Sequence, residues 1–449
     1  MKAYDKYNQQ ARDWLISDFE TFRKRITGTN DSTVLDLRQT ALRAFREVGF
    51  PHTKVEEWKY TNLEPLLRQH FTLTRDFRTP GHEAIEPFLF PEADSLRLVF
   101  VNGTFSPELS TVPKLPEGAI ITGLSHALRN FPDLVKQYLT AGVDYRKQTF
   151  PALNLAFQED GYFIYLPEET DLESPIHLLY VFDPGDVAFH VHPRNILVVR
   201  SGSRIQLLET HRYLSDYPYF HNSLTTTFIE QASQVEHIRL QDAGQQAFLI
   251  NHTEVFQKSG SNYRSVTIDL GGRLVRNDLN VHLQGEEAET VLNGFYLTRG
   301  EQHVDNHTVI EHEVPRCQSN ELYKGILTDK SRAVFSGLIR VHKDAQKTNA
   351  FQSNRNLLLS REAEVDTKPQ LIIYADDVKC SHGATVGQMN EEAVFYMQQR
   401  GIAEQEARAL LRFAFGAEVL QPISRQELRN RLEELMAQRL RKVNTQIME

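Results

Sequence analysis

The chain has 449 residues, 40% of them hydrophobic, and a formal net charge of -9, enough apolar material for one large core or two to three ordinary ones. Acidic side chains interleave with basic ones, so no field attracts a phosphate backbone and nucleic acid is not an expected partner. Two cysteines far apart, Cys317 and Cys380, argue against a disulfide framework and for a reducing, cytoplasmic setting, and neither a leader nor an apolar span of about 20 residues calls for a membrane.

The first predicted elements are helical. Trp14, Leu15, Phe19, Phe22 and Ile26 recur at helical spacing, and after a break at 28–31 Leu35, Leu42 and Phe45 do the same. Asp31 or Ser32 is the expected cap of the second helix, and Gly49-Phe50-Pro51 stops it. The pair reads as a helical hairpin whose apolar stripe docks on this chain by default, with docking on another chain as the alternative. Mixed signals between 95 and 130, with an apolar run at 96–101 and a turn at Asn102-Gly103, complete an N-terminal helical and α+β region over 1–150.

Between 151 and 388 the chain is mainly β. Short β-branched and aromatic runs recur at 196–199, 205–208, 266–270, 295–297 and 371–374. Ser201-Gly202, Ser259-Gly260, Gly271-Gly272, Gly285, Gly300 and Gly325 separate the runs, and no long amphipathic helix intervenes. Such a stretch must hide its strand edges in a sandwich, a barrel or a solenoid. Gln346, Asn349, Gln352, Asn354 and Asn356 favour a parallel β-helix, in which stacked coils let amides bond in ladders. No repeat is visible, so a large sandwich stays open.

From 389 to 449 helical spacing returns. Ala393, Tyr396 and Met397 lead to a break at Gly401, and Ala407, Leu410, Leu411 and Phe415 form a second stripe. Ser424 and Glu427 suggest a capping box for a last helix with Leu428, Leu432, Leu435 and Leu440 on one face.

Several chemistries are absent. No glycine-rich loop ends in Lys-Ser or Lys-Thr, no Gly-x-Ser-x-Gly elbow occurs, and no Cys-x-x-Cys pair is present. Two cysteines cannot supply the four thiolates of an ordinary closed cluster site. His303, His307, His312 and Cys317 raise the alternative of a free-standing metal protein. On extended chain, however, positions four apart lie about 13 Å from each other, which favours a structural role. Cys380 and His382 lie two apart, so a strand would project both from one face, about 7 Å apart, where they could converge on a soft metal. A packed cysteine beside a surface histidine is the plainer reading.

The order of several motifs then points to a family. Glu321-Leu322-Tyr323-Lys324-Gly325, Asp366-Thr367-Lys368-Pro369-Gln370 and Lys379-Cys380-Ser381-His382-Gly383-Ala384-Thr385 resemble the SufB/SufD family of iron–sulfur cluster assembly proteins, with overlap from about 292 to 420. Gly383, and the early Glu56-Glu57-Trp58-Lys59-Tyr60-Thr61, look most like its SufD branch. The resemblance implies a right-handed parallel β-helix over 151–388 and a helical domain over 389–449 that binds the SufC ATPase. It also implies a heterodimer with SufB through the β-helix, and a homodimer is conceivable in isolation. It makes the chain a scaffold without turnover or a tightly bound cofactor, handling transient iron or a nascent cluster near His382, with Cys380 as a lesser candidate ligand. Phe413, Phe415, Glu418 and Leu420 are the residues expected at the SufC contact, although core packing explains them equally well. A β-helix enzyme acting on carbohydrate is a further alternative, and it would need paired acidic residues in an open groove.

Overall fold

The computed structural model describes residues 2–26, 32–73 and 79–443. The break expected at 28–31, with the cap at Asp31, lies outside the described residues, as does the side chain of Ile26.

Two stacked sheets dominate the molecule. One runs, in hydrogen-bonded order, Thr104–Phe105, Arg97–Val101, Ile176–Phe182, Arg204–Tyr213, Gln234–Gln241, Asn262–Asp269, Glu289–Thr298, Gln318–Leu327, Asn349–Leu358 and Lys379–Gly387. The other begins with Ile120–Gly123 and Tyr162–Leu166, continues through Arg194–Val199, Tyr219–Ile229, Phe248–Gln257, Leu274–Leu283, His303–His312 and Arg332–Val341, and ends at Glu364–Ile373. From Arg204 onward, consecutive strands alternate between the sheets and every ladder is parallel. A face-to-face sandwich of hairpins would pair antiparallel, so the chain is a parallel β-solenoid. The row Arg204, Gln234, Asn262, Glu289, Gln318, Asn349, Lys379 advances by 27 to 31 residues per coil. This uneven coil length hides the repeat from the sequence. The boundary expected at 150 falls inside the helix Thr149–Phe157, and strands before it already extend both sheets.

Between the sheets lies an apolar core that includes Leu178, Leu207, Leu249, Val281, Leu292 and Ile339. Polar inward side chains are tied to neighbours on the next coil. Ser223 Oγ donates to Asn251 Oδ1 at 2.8 Å, Asn251 Nδ2 to Asn277 Oδ1 at 2.9 Å, and Asn277 Nδ2 to Asn306 Oδ1 at 2.9 Å. The amide ladder thus stands on the sheet opposite the residues that suggested it. Asn354 and Asn356 instead close a knot around Tyr296, whose hydroxyl donates to Asn356 Oδ1 at 2.5 Å. Gly325, read as a separator, sits inside the strand Gln318–Leu327, where a Cβ would lie 2.1 Å from the Tyr296 ring. It is a gap for an aromatic, not a turn.

Helices cover the outer faces. Leu15, Phe19 and Phe22 of the helix Lys2–Ile26, with Leu42 and Phe45 of the helix Ser32–Val48, pack with the helix Thr149–Phe157 over Phe220, Leu224 and Phe248. The hairpin therefore docks on its own chain. On the other outer face, Leu428, Leu432, Met436 and Leu440 of the helix Gln426–Arg441 lie over Leu208, Ile238, Val266 and Phe295. The capping box expected at Ser424 does not form. The Glu236 carboxylate accepts from Ser424 N at 3.2 Å instead, so the sheet itself supplies the anion at the helix start.

Candidate functional site

Among the described residues no strand pairs with either outer edge of the last coil, whose outer face meets Glu56 at Lys368. Lys379–Gly387 ends one sheet and Glu364–Ile373 the other, and the exposed apolar side chains Phe351, Ile373, Tyr374 and Val386 gather on this final stretch. In a parallel ladder each residue directs its backbone groups to one side, and its successor to the other. Lys379 N donates to Thr348 O at 2.9 Å, so the odd-numbered residues face the neighbouring strand. Cys380, His382, Ala384 and Val386 turn their N–H and C=O groups to the open edge. On the companion edge, Glu364 N donates to Ser331 O at 3.1 Å, which leaves the odd residues facing outward, Pro369 among them. A proline there removes an edge donor, so the Lys379–Gly387 edge is the less interrupted of the two.

The side chains of Cys380 and His382 share the inward face at the mouth of this coil. Cys380 is half-buried against the inter-sheet core, while His382 is exposed. Burial pushes the Cys380 thiol up, against a backbone hydrogen bond from Ala350, so it stays protonated at neutral pH. The imidazole is the better placed donor to anything at the open end. Behind it, two coils deep, burial pushes the Glu321 carboxyl up to about 7, against the pull of Thr308 and Gln352.

The histidine-rich segment is dispersed among structural partners. His303 Nε2 lies 2.8 Å from Thr61 Oγ1, His307 Nε2 3.0 Å from Asp305, and His312 Nε2 2.9 Å from Ser319 Oγ. The Cys317 thiol donates to Gly285 O at 3.3 Å and is pushed up to about 11 by burial. Among the described residues, no group of three or more His, Cys, Asp or Glu side chains is arranged to hold a metal ion.

The residues expected at an ATPase contact are engaged within the chain. Leu420 is fully buried, and Phe413 and Phe415 pack against the same cluster under the C-terminal helices. Lys324 Nζ donates to Phe415 O at 2.8 Å and pairs with Glu418, which also lies 3.8 Å from Arg355. Leu420 is therefore core, since its helical face meets Phe295 and Ile326 and not solvent. The exposed apolar side chains here are Phe395 and Tyr396 on Glu391–Gln399 and Leu410 on Glu404–Ala417. One signal for them was legible: two adjacent aromatics on a helix point about 100° apart, so they cannot both lie at the centre of one buried stripe.

Comparison with known proteins supplies the family. The family model for the SUF system FeS cluster assembly SufBD core domain matches residues 183–415, and the one for the SufBD protein N-terminal region matches 9–178. The chain belongs to the SufBD family. Within that family it is 35% identical over 422 residues to an iron–sulfur cluster assembly SufBD family protein of Synechocystis, covering 92% of each chain. It is 31% identical over 406 residues to the iron–sulfur cluster assembly protein SufD of Escherichia coli, covering 90% of this chain and 92% of the relative. The chloroplastic protein ABCI7 of Arabidopsis thaliana is 35% identical over 402 residues, covering 88% and 83%. Among the described residues no helix is long and apolar enough to cross a membrane.

Proposed function

We propose that this SufBD-family protein is a SufD-type scaffold subunit that pairs with a SufB-type protein through the bare end of its solenoid. A SufC-type ATPase engages its C-terminal helices. The observation behind this reading is the unpaired edge Lys379–Gly387, flanked by exposed Phe351, Tyr374 and Val386 and with His382 on its inward face. An edge with free backbone groups and an apolar fringe is a surface that takes up another sheet. Iron or a nascent cluster is the cargo at that junction, with the His382 imidazole as a borderline-soft ligand and the protonated Cys380 thiol as packing. Phe395, Tyr396 and Leu410 are the exposed apolar anchors for the ATPase, with Phe413, Phe415, Glu418 and Leu420 holding their helices on the sheet. The chain itself performs no turnover and works in the cytoplasm.

The test is co-expression with SufB and SufC homologues, followed by sizing and assay of iron and sulfide. One stable complex containing all three chains and acid-labile sulfide is expected, with His382→Ala retaining the complex but losing the sulfide. Failure to form any complex, or full cluster content in the His382→Ala complex, contradicts the reading. A lone chain that sizes as a dimer would show the same edge taken up by a second copy.

A further inference from the structure

His382 ends a row of polar side chains inside the solenoid. In-register pairing sets Glu321 opposite Gln352 and Gln352 opposite His382, so the three occupy successive coils and share the inward face. Glu321 and Gln352 are 1% and 3% exposed. Gln352 Nε2 donates to Glu321 Oε2 at 2.6 Å, while Gln352 Oε1 is buried with no hydrogen-bond partner among the described residues.

An amide holds its nitrogen and oxygen in one plane on opposite sides of the Cγ–Cδ bond, and within the row Gln352 has only two neighbours, each about 4.8 Å away along the sheet. The nitrogen goes back to Glu321. The oxygen is thereby left for the coil in front, where His382 stands. Reversing the amide would set its oxygen against the Glu321 carboxylate, acceptor against acceptor, so once that carboxyl, raised to about 7 by burial, is ionised the direction is fixed. The opposite strand makes room for this arrangement, because a Cβ at Gly337 would lie 2.1 Å from Gln352 Nε2.

We infer that Gln352 is the positioning residue for His382: its buried side-chain oxygen, unpartnered with the ring exposed as it is here, accepts one imidazole N–H when the ring turns inward, and the other ring nitrogen keeps its lone pair for the cargo at the open end. Glu321 acts one step further back by holding the amide in the orientation that does this. A ligating histidine characteristically gives its second N–H to such an acceptor, and losing the acceptor typically costs about 10–100-fold in metal affinity. The inference rests on the reading of His382 as a ligand, and its test separates the two.

The full-length chain is labelled with ring-15N histidine, the His382 signals are assigned by their loss in His382→Ala, and the tautomer ratio is read with the imidazole deprotonated. One tautomer dominates in the unaltered chain. Gln352→Met, which keeps the bulk without the acceptor, gives a mixture, and so does Glu321→Gln, which frees the amide to turn. The exchanged pair Glu321→Gln with Gln352→Glu retains a donor behind and an acceptor in front, and restores the single tautomer. In the co-expressed complex, Gln352→Met lowers iron and sulfide by about tenfold. An unchanged tautomer ratio in Glu321→Gln and in Gln352→Met overturns the positioning role even if His382→Ala abolishes assembly. A shifted ratio combined with normal assembly in His382→Ala supports the geometry and overturns the ligand reading alone. Should Gln352→Met fail to fold, the Glu321→Gln and exchanged-pair ratios decide.

Discussion

Asp305 shows what the early motif Glu56-Glu57-Trp58-Lys59-Tyr60-Thr61 does. Its carboxylate accepts from Arg276 Nη1 at 2.7 Å and from Thr61 Oγ1 at 2.5 Å, and the Arg276 guanidinium lies 3.9 Å from the Trp58 ring centroid. The motif that marks the family branch is, in this chain, a clamp holding the N-terminal segment on the solenoid. Asp305→Asn leaves the buried Arg276 guanidinium to the Asp278 carboxylate, and a loss of roughly 1–3 kcal/mol in urea unfolding is expected. A second buried group titrates usefully. Burial alone would raise Glu254, but His252, His282 and Asn280 hold it down at about 2, and the carboxylate in return raises both imidazoles against their burial. Glu254 therefore contributes stability above its ordinary value of 4.5, lost as pH falls toward 2, while the two histidines contribute below 6.5 and lose it as pH rises through their raised values. The difference in melting temperature between the unaltered chain and Glu254→Gln should be largest between those limits and shrink on the alkaline side. At this scale the placement of Cys380 and His382 on one strand was legible, because residues two apart on extended chain share a face. Gln352 was read as a ladder amide, and its link to His382 was not legible, since no spacing rule joins residues on coils of unequal length. For Leu420 the sequence left a SufC contact and core packing both open, and the side chain is buried in the core, because a helical stripe reports that a face is buried without saying against what.

Elements were easier to read than their roles. The runs at 196–199, 205–208, 266–270, 295–297 and 371–374 fall on strands, with Leu270 and Tyr374 one residue past the strand ends, because β-branched and aromatic residues have few other outcomes. The helices Glu391–Gln399, Glu404–Ala417 and Gln426–Arg441 form where the spacing suggested them, although Tyr396 and Leu410 of the expected stripes are exposed. What stayed hidden was which sheet each strand joins, since that depends on corners and not on strand composition. The edge strand Lys379–Gly387 offers a direct experiment. Ala384 directs its N–H away from its only neighbouring strand, so Ala384→Pro removes no ladder bond within the chain. Its melting temperature should stay within a few degrees of the unaltered chain, while complex formation with a SufB homologue falls by at least tenfold in a pull-down titration. Equal binding by both would remove this edge from the interface. On the helices, Phe395→Asp with Leu410→Asp should abolish co-purification of the ATPase and spare the SufB contact, because both side chains are exposed and neither supports the core.

At the scale of the molecule, helices shield the outer faces of the early and middle coils, and among the described residues no strand covers the edges of the last coil. A solenoid that ends this way has an unfinished core, with an open edge for a neighbouring sheet and an imidazole at its mouth. The coil architecture itself was only half legible. Amide-rich stretches and missing helical crossovers pointed to stacked coils, while the 27 to 31 residue coil length kept the repeat from view. The most direct test of the open-edge account is residue-resolved hydrogen exchange of Lys379–Gly387 in the dilute, monomeric chain and in the complex with a SufB homologue. The amides of Cys380, His382, Ala384 and Val386 should exchange rapidly alone and become strongly protected in the complex, with the odd-numbered amides slow in both. Rapid exchange of those four amides in an intact complex would contradict the account.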